Sequence, residues 1–152
     1  FIDFIGRPNK SVTIDIVRMA AKFYGEYLLG KRLARNIGLT IEFKNFPKGC
    51  NDYAYCDWEY DNHNARDFII TIDRNLGRRE ILMALAHEMV HVKQYARGEL
   101  RDLLSFENYT VNFRGTRYRH IIADDPKYMN QPWEVEAFGL EEGLYKAYKK
   151  YA

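Results

Sequence analysis

The chain has 152 residues, of which 47% are hydrophobic and 15% aromatic, enough apolar material for one domain with a hydrophobic core. Its 23 basic and 21 acidic side chains leave a formal net charge of +2, so neither nucleic acid nor an anionic membrane is expected as a partner. No apolar run approaches the roughly 18–20 residues of a membrane span. We therefore expect one domain, residues 1–152, outside the membrane.

The two cysteines, Cys50 and Cys56, are too few for a disulfide framework. We expect free thiols in a reducing cytoplasm, with a local disulfide as the alternative. The first residues lack the order of a secretory signal, although a chain that begins at Phe1 leaves room for a removed leader.

Helical spacing of apolar residues predicts a first helix over 13–36, with Thr13 as its cap and Gly38 beyond its end. Gly25 and Gly30 weaken the prediction for its second half. Alternation and β propensity then predict three strands, at 39–44, 53–60 and 67–73.

A second helix is predicted over 78–97, ending at Gly98. Residues 100–130 are expected to be irregular or to include a hairpin around Gly115. Pro132 can open a last helix, because proline is tolerated at the first helical position. This order predicts an α+β domain with a small, mostly antiparallel or mixed sheet.

Between Ile81 and Val92 the only polar side chains are His87, Glu88 and His91. A helix that is apolar on all sides is buried. Burying two imidazoles and a carboxylate without partners costs on the order of several kcal/mol. A bound cation would satisfy all three groups at once.

The spacing favours zinc. Residues four apart lie on one face of a helix, so His87 and His91 can direct ring nitrogens at one ion. Glu88 lies about 100° further round the helix, beside the ion, where it can take a proton from an activated water molecule. A bare His-Glu-x-x-His pattern also arises by chance, but the uncharged neighbours favour the functional interpretation. We predict one Zn²⁺ per chain, with Glu88 as general base.

A catalytic zinc normally has three protein ligands, so one more is needed. The candidates are Glu134, Glu136 and His120. The two glutamates flank opposite sides of the apolar stripe of the last helix, so periodicity alone does not choose between them. This stripe consists of Trp133, Ala137, Leu140 and Leu144.

The segment Leu85-Ala86-His87-Glu88-Met89-Val90-His91-Val92 resembles the zincin metallopeptidases. The segment Gln131-Pro132-Trp133-Glu134-Val135-Glu136-Ala137-Phe138 is similar to the glutamate helix of gluzincins. The pair, with residues 113–118 between, resembles small metallopeptidases of phage and bacterial genomes. This resemblance implies a zincin-like domain that acts on peptides or proteins. It also implies Glu134 as the third ligand, because Ala137 occupies the small-residue position three residues later. Gly139 stands in the same relation to Glu136, which stays the alternative.

The chain also departs from the family pattern. Many gluzincins place an aspartate, which braces a histidine, four residues after the third ligand; here that position is Phe138. Zincins hold substrate along an edge strand before the active-site helix, which implies that role for 67–73, with a core strand as the alternative. Tyr118 or Tyr128 could stabilise an oxyanion, with packing as the alternative role.

Two other functions stay open from the sequence. One is a zinc-stabilised binding module with little turnover, and the other is a hydrolase of a non-peptide amide. Glu88 favours the enzymes over the binding module, because a purely structural zinc site needs no general base.

Overall fold

The computed structural model describes residues 2–49, 52–58, 64–103, 110–119 and 125–152. These residues form three α-helices and seven strands, and the predicted α+β class is confirmed. The elements in chain order are β1 (Ile2–Ile5), α1 (Ile14–Ala34), β2 (Gly38–Lys44), β3 (Ala54–Trp58), β4 (Asp67–Asp73), α2 (Arg78–Ala96), β5 (Leu100–Leu103), β6 (Thr110–Phe113), β7 (Thr116–Arg119), a 3₁₀ turn (Tyr128–Asn130) and α3 (Pro132–Tyr151).

The larger sheet is mixed, with strand order β1-β2-β4-β3. Strands β1, β2 and β4 are parallel, and β3 runs antiparallel to β4 along the edge. The interpretation of 67–73 as an edge strand is therefore wrong, because β4 pairs on both sides. Its run Phe68-Ile69-Ile70-Thr71-Ile72 is typical of an interior strand of a parallel sheet, where apolar residues are continuous. Within the described residues, β3 is the edge strand that adjoins β4.

Helix α2 lies at the centre of the main core and packs against α1, α3, β3 and β4. The Tyr24 hydroxyl of α1 donates a hydrogen bond to the Leu82 carbonyl oxygen of α2 at 3.1 Å. Thr13 caps α1 as predicted, accepting from the Ile16 amide. Gly30 has φ +78° and interrupts the helical geometry in the second half of α1. This is the half for which the sequence predicts a weaker helix.

The three strands β5, β6 and β7 form a separate antiparallel sheet. The predicted hairpin is confirmed, and its turn is made by Arg114 and Gly115, both with positive φ. Trp133, at the start of α3, packs with Leu100, Val111 and Phe113 in a second apolar cluster. This cluster fixes the start of α3 against the small sheet.

The buried side of α3 follows a 3-4 repeat, in which Glu134 is itself one of the buried residues. Leu140, assigned to the apolar stripe from the sequence, is exposed. The helical repeat explains the exposure of Leu140. Ala137 and Leu144 lie on one face of α3, and the residue between them on that face is at position 141.

None of the helices in the described ranges has the length and apolarity needed to cross a membrane. Cys56 carries a free thiol on β3, and Cys50 lies outside the described residues.

Candidate metal centre

Helix α2 carries the predicted motif in its most buried part. Every residue from Leu85 to Val92 is buried, as the sequence predicts for a helix that is apolar all round. His87, Glu88 and His91 are each less than 9% exposed. Their polar groups therefore depend on protein partners or on a bound ion.

Glu134 of α3 meets both histidines. The Nε2 atom of His87 lies 3.1 Å from Oε1 of Glu134, and the Nε2 atom of His91 lies 2.9 Å from Oε2. One ligand atom from each of the three residues falls within 4.8 Å of the others. Two nitrogen or oxygen ligands on a tetrahedral zinc are about 3.3 Å apart, given metal–ligand bonds of about 2.0–2.1 Å. The three buried side chains thus form a group that can hold a metal ion.

The Nδ1 atoms of the two histidines, on the other side of each ring, also have hydrogen-bond partners. Nδ1 of His87 lies 2.8 Å from Oε2 of Glu141, and Nδ1 of His91 lies 2.8 Å from Oε1 of Gln94. A carboxylate oxygen only accepts hydrogen bonds, so His87 donates from Nδ1. Its Nε2 is therefore directed at the shared centre, in the arrangement that protein partners impose on histidine ligands.

Sequence reasoning missed Glu141 as the partner of His87. The aspartate position of gluzincins holds Phe138, whose ring packs on His87 with the centroids 4.5 Å apart. Glu141 follows Glu134 by seven residues, which is two helical turns, so the two carboxylates share one face of α3. An acidic residue within the buried 3-4 repeat was the signal available in the sequence.

The electrostatics of the three side chains show how strongly they are paired. Burial lowers the pKa of His87, but hydrogen bonds with Glu134 and Glu141 outweigh it and raise that pKa to about 10. Burial likewise raises the pKa of Glu134, but the two histidines overcome this effect and bring it to about 2. The centre between these groups therefore favours positive charge, which protons or a cation can supply.

Glu88 lies beside this group and is not part of it. Burial raises the pKa of Glu88, and the positive charge of His91 and His87 opposes this rise in part. A raised pKa makes the carboxylate of Glu88 a stronger proton acceptor than that of an exposed glutamate.

Glu136, the rival third ligand, points to a different cluster. Its Oε1 atom lies 3.1 Å from Nζ of Lys93 and 2.9 Å from Nε2 of Gln94, and its Oε2 pairs with Arg114. The group that can hold a metal contains Glu134 instead. His120, the remaining candidate, lies outside the described residues.

The two tyrosines considered as oxyanion stabilisers occupy different places. Tyr118 packs edge-on against Trp133, with ring centroids 5.6 Å apart. Tyr128 adjoins the metal group: burial, the charges of Glu134 and Glu88, and a hydrogen bond to Glu134 all raise the pKa of its hydroxyl. Of the two, Tyr128 is the one in contact with the candidate site.

Comparison of the chain with protein-family models, with curated proteins and with solved structures gives no match. Membership of the zincins therefore stays a prediction from the two motifs. The structure itself shows an α+β fold in which one helix carries His87 and His91 and the C-terminal helix carries Glu134.

Proposed function

We propose that this protein is a zinc-dependent metallopeptidase that holds one Zn²⁺ with His87, His91 and Glu134. The observation that supports this most is the approach of three buried ligand atoms, from two helices, to within 4.8 Å of one another. Two histidines and one glutamate are a donor set of catalytic zinc sites, which keep a fourth position for water or substrate. Structural zinc sites are closed by four protein ligands, most of them cysteines.

When bound, zinc supplies Lewis-acid chemistry, polarising a carbonyl group and lowering the pKa of water towards about 7. Glu88 takes the proton from the attacking water and passes it to the departing amine. Because Glu88 is buried and its pKa is raised, it is a stronger base than an exposed glutamate. The Tyr128 hydroxyl, which reaches Glu134, donates a hydrogen bond to the carbonyl oxygen as negative charge develops there.

The proposed peptide lies along β3. This strand pairs with β4 on one side, and among the described residues no other strand pairs with it. An extended peptide can add to such an edge through main-chain hydrogen bonds. Because α2 packs directly against β3, a peptide in this position would pass close to the metal ligands.

The decisive experiment combines metal analysis with an unbiased search for substrates. The zinc-loaded protein is incubated with a proteome-derived peptide library, and the products are read by mass spectrometry. The Glu88→Gln variant is the matched control. We expect one zinc per chain in both proteins and new peptide termini only with the parent.

Two outcomes would contradict the proposal. Failure of the protein to take up zinc after supplementation would exclude the proposed metal site. A protein that binds zinc but generates the same termini as Glu88→Gln would exclude the peptidase and favour a binding module or a hydrolase of other amides.

A further inference from the structure

Gln94 is a fully buried polar residue, three positions after His91 on α2. Its amide oxygen lies 2.8 Å from Nδ1 of His91. Its amide nitrogen lies 3.0 Å from the carbonyl oxygen of Trp133 and 2.9 Å from Oε1 of Glu136. One side chain therefore contacts a candidate ligand on α2 and the backbone immediately before Glu134 on α3.

The chemistry of these neighbours fixes the orientation of the amide. A carbonyl and a carboxylate only accept hydrogen bonds, so the NH₂ group of Gln94 must face Trp133 and Glu136. The amide oxygen then faces His91 and accepts a hydrogen bond from Nδ1. A reversed amide would lose both donations and set its oxygen against two acceptors. His91 is thereby held with Nδ1 protonated and Nε2 directed at Glu134.

The acceptor used by Gln94 is itself anchored. Glu136 pairs with Lys93 of α2 and with Arg114 in the β6–β7 turn. Both cations also reach Glu99, at 3.0 and 3.3 Å. The carboxylate of Glu136 is therefore held between α2 and the small sheet, so it offers Gln94 a fixed partner.

We propose that Gln94 is a positioning residue of the metal site, which sets the tautomer of His91 and the distance between His91 and Glu134. This inference rests on the proposed zinc site. The two helices supply different ligands, and Gln94 is a direct bridge between them at the level of the site. Loss of the bridge leaves His91 free to turn and α3 free to shift relative to α2.

The test uses two substitutions at position 94 and one control. Gln94→Met keeps the length of the side chain and removes every hydrogen bond. Gln94→Glu keeps an acceptor for His91 but places a second acceptor against Trp133 and Glu136. As the control, Tyr24→Phe removes a different buried hydrogen bond to α2, at the Leu82 carbonyl oxygen, and leaves Gln94 and Glu136 unchanged. Zinc affinity is measured by chelator competition, the absorption spectrum of the Co²⁺-substituted protein reports ligand geometry, and melting without metal reports the fold.

We expect Gln94→Met to weaken zinc binding by about 10–100-fold, the range typical of residues behind a histidine ligand, and to alter the Co²⁺ spectrum. Gln94→Glu should lose less, and Tyr24→Phe should stay within about twofold of the parent with an unchanged spectrum. A parental affinity and spectrum in Gln94→Met would overturn the inference. So would an equal loss in Tyr24→Phe, which would make the effect one of general stability.

If Gln94→Met does not fold, the double variant Gln94→Glu/Glu136→Gln decides the question. It exchanges donor and acceptor between the two side chains, so it should recover part of the affinity lost in Gln94→Glu. No recovery would refute the bridge. Failure of the parent itself to bind zinc would instead reject the proposed function, and this inference with it.

Discussion

The two histidines stand four residues apart on one helix, yet their surroundings differ. His87 donates to a carboxylate, Glu141, whose side chain is 21% exposed, and it packs on Phe138, which is 40% exposed. His91 instead donates to a neutral amide with no exposed surface, Gln94. The two rings are equally buried, but the half of the site behind His87 meets solvent and the half behind His91 is sealed from it. We infer that the sealed half sets the geometry of the site and that solvent reaches the site from the open half.

Removing either histidine should have the largest effect. His87→Ala and His91→Ala should each abolish stoichiometric zinc binding, because two protein ligands do not make a catalytic site. A parent that binds zinc as proposed should gain about 2.7 kcal/mol of stability when zinc is present at about 100 times its Kd, and both variants should lose this gain. Metal analysis and chemical denaturation with and without zinc measure both effects.

The same pair of variants also tests the comparison between the two halves. Without zinc, His91→Ala should be the less stable variant, since it leaves the buried oxygen of Gln94 without its donor. After His87→Ala, by contrast, water can reach the partly exposed Glu141 and replace the lost hydrogen bond, so this variant should lose less stability. Equal stabilities without metal would mean that the two halves do not differ as inferred.

Glu88→Gln should affect turnover and leave metal binding intact. The amide has the shape of the carboxylate but cannot accept the proton of water, so kcat should fall by about 10²–10⁴-fold, the contribution typical of a general base. Steady-state kinetics on a substrate from the library, with zinc content measured in parallel, checks this. Turnover at the parental rate would require another base.

Much of the fold was predictable from local pattern alone. Strand β4 and the starts of α2 and α3 lie where the sequence places them, because β propensity and helix-start signals are encoded in neighbouring residues. Strand β1 was missed, since its four residues form a strand only by pairing with β2, more than thirty positions away. The place of β4 inside the sheet depends on the same kind of distant pairing.

The same distinction between local signals and distant contacts applies to the residues of the site. The spacing of His87 and His91 is local, so the sequence predicts that pair. Glu134 and Glu136 could not be separated, because the choice depends on the rotation of α3 about its axis, which packing against α2 and the second apolar cluster determines. Glu141 and Gln94 were not singled out, since each acquires its role only through a contact with a histidine ring.

Side-by-side substitution of the two glutamates tests this choice. Glu134→Gln should weaken zinc binding by more than the roughly 10–100-fold expected for residues behind a ligand, because it removes a charged ligand. Glu136→Gln should weaken it less, since Glu136 acts on the site only through Gln94. Chelator competition on both variants measures the difference. If only Glu136→Gln loses zinc, the assignment of the third ligand is wrong.

Zinc affinity should also rise with pH. The pKa of His87 is raised to about 10, so its ring holds an extra proton at neutral pH until zinc displaces it. Burial lowers the pKa of His91, but hydrogen bonding to Glu134 outweighs burial and raises that pKa as well. Each proton released makes binding about tenfold tighter per pH unit, as long as the pH stays below the raised pKa. Competition titrations between about pH 6 and pH 8 check this. An affinity independent of pH would show that the rings are neutral before zinc binds.

The smallest effect is expected at Glu141. In Glu141→Gln the amide oxygen can still accept from Nδ1 of His87, so the tautomer is kept and only the negative charge behind the ring is lost. The side chain is partly exposed, and water can therefore replace part of what is removed. We expect about a tenfold loss of zinc affinity, at the lower end of the range for such partners, and a smaller loss than in Gln94→Met. Measured under one set of conditions, the order of these two variants tests the difference between the halves directly. A larger loss at Glu141 would mean that charge at His87, and not the sealed bridge at His91, dominates the affinity of the site.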